Sequence, residues 1–109
     1  MGMSKDEALG IAGKVKAELE ELYGPRLRGI YVYGSAAAGE LTEESDIDIA
    51  VILDKVSDGY SEHERTRKLG SRISLEARRV VSFLFVSEAD LEQGRFAVHR
   101  AIKAKGILA

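Results

Sequence analysis

Cysteine is absent from the 109 residues, so the chain can build no disulfide, no thiolate nucleophile and no cysteine-ligated zinc site. A reducing, cytoplasmic setting suits such a chain. It also lacks a dominant charge. Its 16 Lys and Arg stand against 18 Asp and Glu for a net charge of -2, without the global basicity of a dedicated nucleic-acid or membrane-surface binder. Any affinity for nucleic acid or for a cation must then come from a local site. No apolar run approaches the ~20 residues needed to cross a bilayer, and no basic-then-apolar leader opens the chain, so no membrane partner is expected. Internal repeats, low-complexity tracts and a G-x-G-x-x-G dinucleotide fingerprint are missing as well.

What is present is enough apolar residue, 45%, to close one core around one sheet, and the reading is a single domain over residues 1–109. Ser4 and Glu7 form a capping box before Ile11, Val15, Leu19 and Leu22, the stripe of a first helix that ends at Gly24-Pro25. Arg28 to Tyr33 reads as a strand running into a tight turn at Gly34, and Asp46 to Leu53 as a second strand, polar at its start and apolar beyond. Ser61 and Glu64 suggest a capped helix with Thr66, Leu69 and Ile73 inward. Arg79 to Val86, nearly continuous in apolar residues, suggests a strand covered on both faces. Ser87 and Asp90 cap a short helical turn. A final helix shows Ala97, Val98, Ala101 and Ile102 inward and stops at a left-handed Gly106. The expected class is α/β (α+β), a small mixed sheet flanked by helices in the order α-β-turn-β-α-β-α.

The chemistry concentrates between Tyr33 and Val51. Gly34 lets backbone approach a phosphate, Ser35 adds a hydroxyl, and the short helix expected to follow turns its N–H groups toward an anion. Asp46 and Asp48, two apart on a strand, project from one face, and two like charges so placed call for a cation. Hard oxygen donors completed by phosphate oxygens describe Mg2+, with Mn2+ an acceptable substitute. Taken alone, Gly34-Ser35 would be an ordinary turn and Asp46/Asp48 an exposed strand entrance; their order and context lift both above that. Tyr31 and Tyr33 read as core or half-core residues. His63 and His99 read as packing or surface residues, and Arg65-Thr66-Arg67-Lys68 as a solvated helix face with phosphate contact a secondary reading.

With Gly-Ser, a spacer of about ten residues and Asp-x-Asp in place, the chain resembles the polymerase-beta-like nucleotidyltransferase superfamily, in particular its minimal members of the antitoxin type. The likeness extends through Gly39 and Ser45 and covers nearly the whole chain. It implies nucleotide binding by Gly34, Ser35 and Ser45, with Asp46 and Asp48 as catalytic, metal-ligating residues. It further implies a nucleoside triphosphate substrate, ATP above others, and a small helical partner protein of the toxin-antitoxin kind that brings the acceptor hydroxyl. Nucleic acid and a homo-oligomeric assembly stay open as partners.

Two positions depart from that pattern. Ser82 occupies the place of the third acid on the next strand, and Arg79 to Val86 contains no carboxylate. Glu76 shares the parity of Ser82 but stands roughly 20 Å away along an extended strand. Ala38 replaces an arginine frequent before the second glycine of the turn, leaving Arg65, Arg67, Lys68 or Arg72 to compensate. Two functions follow: a metal-dependent transferase of nucleoside monophosphate onto a hydroxyl, or a catalytically weak or inactive nucleotide-binding interaction module.

Overall fold

The computed structural model describes residues 4–39, 42 and 45–109. Helix α1 (Lys5–Tyr23) leads through a 3-10 turn (Gly24–Arg26) into β1 (Leu27–Tyr33) and the short α2 (Ser35–Ala38). Then come β2 (Ile47–Leu53), α3 (Gly59–Ala77), β3 (Val81–Ser87), α4 (Glu88–Gln93), α5 (Ala97–Lys105) and β4 (Ile107–Leu108). The four strands form one mixed sheet in the order β3-β2-β1-β4. β1 is antiparallel to both β2 and β4, while β2 and β3 run parallel across the α3 crossover. The fold class read from the sequence is the one observed, a mixed sheet flanked by helices, with one strand more.

Strand alternation divides the core into two layers. Ile30, Val32, Ile47, Ile49, Val51 and Leu53 pack with α1 and α3 residues such as Val15, Leu19 and Ile73 on one face of the sheet. Ala50, Ile52 and Val86, with Tyr31, Tyr33 and Leu84, meet Ile102 of α5 and Leu91 of α4 on the other. Asp48 shares the parity of Ala50 and Ile52, so its carboxylate lies on the α4/α5 side, at the end of the sheet where β1 finishes. Both tyrosines are half-buried in that layer, as their spacing suggested.

Several local expectations need correction. The Ser4–Glu7 capping box is formed, but the buried stripe of α1 is Ala8, Ala12, Val15, Leu19 and Tyr23, while Leu22 is exposed. Small alanines at the first two contacts let the helix sit close to the sheet, and Tyr23 instead of Leu22 continues the inward face. Helix α3 starts earlier than Ser61: Asp58 is its N-cap, accepting from the Tyr60 N–H at 3.0 Å and from the Ser61 hydroxyl at 2.7 Å. A carboxylate satisfies two donors at that terminus, so it displaces serine as the cap. On α5 the buried residues are His99 and Ile102, whereas Ala97, Val98 and Ala101 are exposed. His99 packs against Phe96, and its Nδ1 accepts the Phe96 N–H at 3.3 Å.

Strand β3 spans Val81–Ser87 and is covered on both faces as expected, Val81, Phe83 and Phe85 packing in one layer and Leu84 and Val86 in the other, yet it is an edge strand and most of its residues stay half-exposed. Its outer side has no neighbouring strand among the described residues. Gly106 is extended (φ -65°, ψ 147°) and not left-handed, because the chain passes directly into β4. Glycine is required there for a different reason: a Cβ would stand 2.5 Å from the Ile102 carbonyl oxygen. That close approach swings Ile107 and Leu108 alongside Val32 and Tyr31 of β1. No helix among the described residues is long and apolar enough to cross a membrane.

Candidate functional site

Gly34 ends β1 with φ +66°, a region L side chains rarely adopt. The antiparallel register sets Tyr33 opposite Asp48, which brings the next residue, Gly34, against the Asp48 side chain. A Cβ added at Gly34 would lie 2.8 Å from Asp48 Oδ2. Backbone and carboxylate therefore share a gap that only glycine leaves open. Ser35 is exposed at the start of α2, and the buried Ala36 anchors that turn to the core.

Asp46 is exposed just before β2 and Asp48 is half-buried within it, with the fully buried Ile47 between them. Burial pushes the Asp48 carboxyl above its ordinary range, and the charge of Asp46 raises it further. The two acids thus lie near enough for the charge of one to act on the other. Tyr33 is affected in turn: burial lifts its hydroxyl pKa, and the Asp48 charge adds to the rise.

Ser45 sits at the entrance to this strand with its hydroxyl 3.0 Å from both the Thr42 N–H and the Thr42 hydroxyl. Its engagement is with the incoming loop. Glu40, Leu41, Glu43 and Glu44 of the spacer lie outside the described residues. A residue that spacing did not single out holds the same loop from the other side. Arg79 donates from Nη1 to the Thr42 carbonyl and, at 2.7 Å, to the Ser45 carbonyl. It thereby fixes the backbone one residue ahead of Asp46. The signal available in the sequence was only an arginine beside an apolar run.

The parallel register pairs Asp48 with Ser82, so Ser82 stands on the neighbouring strand with its side chain on the same sheet face. Glu76 is no substitute: it lies within α3, within reach of Arg72 at 3.5 Å. The α3 cations also lie on the wrong side. Their helix packs against the sheet face opposite Asp48, where Arg65 faces Glu62, Arg67 faces Glu64 and Arg72 pairs with Glu18 and Glu76. None compensates at this site for Ala38.

Residues 14–105 match the family described as Polymerase beta, Nucleotidyltransferase. The chain belongs to this family. No curated protein matches it. Among solved structures, this nucleotidyltransferase chain resembles a candidate nucleotidyltransferase from Sulfolobus solfataricus, with TM-score 0.64 and 23% identity over 99% of this chain and 87% of that one. It also resembles a chain of a toxin-antitoxin crystal structure containing AMP-PNP, with TM-score 0.62 and 23% identity over 87% and 69% of the two chains. A third resemblance is to the Shewanella oneidensis complex of a tri-AMPylated HEPN toxin with an MNT antitoxin, with TM-score 0.56 and 19% identity over 93% and 70%. At these identities the structures establish the nucleotidyltransferase fold.

Among the described residues no group of three His, Asp, Glu or Cys side chains converges as a ready metal cage. The donor set is the Asp46/Asp48 pair. Two hard carboxylates, one of them raised by burial and further by its neighbour's charge, fit a divalent cation that takes its remaining oxygens from phosphate and water.

Proposed function

We propose that this nucleotidyltransferase chain binds a magnesium-loaded nucleoside triphosphate, ATP above others, and transfers a nucleoside monophosphate to a hydroxyl of a partner protein. The observation that carries this reading is the contact of the Gly34 bend with the Asp48 carboxylate. Asp46 and Asp48 would hold Mg2+, with Mn2+ able to replace it. When bound, the ion supplies charge neutralisation at the phosphate oxygens. Gly34 leaves the backbone open to the triphosphate, Ser35 offers its hydroxyl beside it, and Ser45 borders the entrance. In the transfer, the acceptor oxygen bonds to the α-phosphorus, the bond from that phosphorus to the bridging oxygen breaks, and pyrophosphate leaves. The hydroxyl proton passes to solvent, since Ser82 is no base at neutral pH.

The partner is proposed to be a small helical protein of the toxin-antitoxin type. Two of the similar structures are toxin-antitoxin complexes, one with AMP-PNP and one with an AMPylated toxin. Ser82 in register with Asp48 favours a second reading, a nucleotide-binding module with weak or no turnover. Incubation with labelled ATP, Mg2+ and a candidate helical partner separates them. Label on the partner with wild type and none with Asp48→Ala supports the transferase. Partner binding that ignores both nucleotide and mutation, with no label transferred, supports the module.

Arg79 provides a further test of the loop it holds. Arg79→Ala is expected to weaken Mn2+ binding about tenfold by freeing the backbone ahead of Asp46. Loss of its two hydrogen bonds should cost only about 1–3 kcal/mol of stability. Mn2+ titration followed by electron paramagnetic resonance, beside a thermal melt, checks both; unchanged Mn2+ affinity would remove Arg79 from the site.

A further inference from the structure

Gly34 has a second side. Away from Asp48 it forms part of the wall of a cavity of about 470 Å3, which is also lined by Lys5, Ala37, Ala38, Ala101 and Lys105. Lys5 is the first residue of α1 and Lys105 the last of α5, a hundred residues apart in the chain, yet both converge at the end of β1. No carboxylate of the described residues lines the cavity. Ala37 and Ala38 present only methyl groups, so the loop leaves the space open and contributes no charge of its own. The nearby Lys103 is committed elsewhere, donating to the Glu92 carbonyl at 2.8 Å.

We infer that Lys5 and Lys105 bind the terminal phosphates of the nucleotide, in the cavity that borders the Gly34 bend. The inference rests on the reading that Asp46 and Asp48 hold the metal-bound end of the triphosphate. Anionic phosphate leaving that end passes the Tyr33-Gly34 corner, which borders both Asp48 and the cavity. On the far side it enters a space with two ammonium groups, the small side chains of three alanines, Tyr33 and Ile107 completing the wall, and no competing acid among the described residues. A lysine is suited to this role because its flexible stem carries a point charge to a tetrahedral anion without requiring a fixed fork geometry. The cation side of the nucleotide site is thus supplied by helix ends from opposite termini of the chain, so that it is complete only when α1 and α5 are both docked.

The test is binding of Mg2+-tripolyphosphate and MgATP by calorimetry at fixed moderate salt, with Mn2+ alone as the reference. The Lys5→Ala/Lys105→Ala double variant is expected to bind both phosphate ligands at least about tenfold more weakly, while its affinity for Mn2+ stays that of wild type. Both side chains are exposed, so its thermal melt should match wild type. Lys5→Arg/Lys105→Arg should retain binding, and Ala38→Arg placed in the double-alanine background should recover part of it from the loop side. Wild-type affinity for both phosphate ligands in the double variant, with binding lost in Asp48→Asn, overturns this inference alone. Failure of wild type to bind either phosphate ligand overturns the nucleotide reading and this inference with it.

Discussion

Asp48→Asn is expected to raise the melting temperature of the metal-free protein while removing its response to Mg2+. The sign follows from the raised carboxyl. In the unfolded chain Asp48 titrates near its ordinary 3.8, and in the fold burial and Asp46 lift that value. A carboxyl raised on folding contributes stability below its unfolded pKa, and that contribution is lost as pH rises through the folded value. At neutral pH the ionised side chain therefore opposes folding, and the amide removes this opposition, for a gain of a few degrees. The stability difference between variant and wild type in EDTA should shrink as pH falls toward the carboxylate range. Mg2+ reverses the order. A ligand at ten times its Kd adds about 1.4 kcal/mol to the state that binds it. Wild type should gain this, more weakly as protons compete at lower pH, and Asp48→Asn should not. Differential scanning fluorimetry across pH, with EDTA or Mg2+, reads both effects. A less stable metal-free variant would mean that Asp48 serves packing and not a cation.

That conflict between local stability and a charged pair is why the candidate site stands out in the sequence. Asp46 stands just before and Asp48 within a strand that is otherwise among the most buried in the molecule, a pattern visible in the sequence as two acids beside an apolar run. Gly34 was legible because a strand of β-branched and aromatic residues ran straight into it. The register was not legible: pairing the two seven-residue strands end to end would set Tyr33 against Ile47, and an irregularity between Leu27 and Gly29 shifts the partner to Asp48. The capping box at Ser4 and Glu7 was equally local, and it forms as written.

What could not be read depended on contacts distant in sequence. An apolar run such as Val81 to Val86 looks the same whether a sheet continues beyond it or stops. Only the order β3-β2-β1-β4 makes it an edge. β4 has two residues and hence no periodicity to detect, and Gly106 was assigned to a left-handed cap when its constraint is contact with Ile102. Compensation for the arginine missing at Ala38 was sought along α3, where basic residues cluster in sequence, yet that helix covers the opposite sheet face, and the lysines lining the cavity beside Gly34 come from α1 and α5. Lys5, Lys105 and Arg79 belong to no motif in the sequence and gain meaning only from what the fold brings to them.

Ser82→Asp is expected to produce the largest gain of any single change, raising transfer to a hydroxyl acceptor by about a hundredfold. The parallel register fixes its place: Asp48 pairs with Ser82, on a strand about 4.8 Å away, with both side chains directed to the α4/α5 face. Serine at that position neither holds a cation strongly nor accepts the acceptor's proton. A carboxylate does both, and a positioned general base alone contributes about 10²–10⁴-fold. The same substitution should lower the melting temperature in EDTA, since a third negative charge joins a pair that already repels, and Mg2+ should restore it. Ser82→Asn has similar size without the charge and should show neither effect, which separates chemistry from packing. Labelled nucleotide transfer to a helical partner, measured with each variant beside thermal melts, gives the answer. A Ser82→Asp protein that is destabilised in EDTA and rescued by Mg2+, yet transfers no faster than wild type, would show that the third acid is not what limits turnover. Weak activity would then have to be traced to the acceptor and not to the nucleotide site.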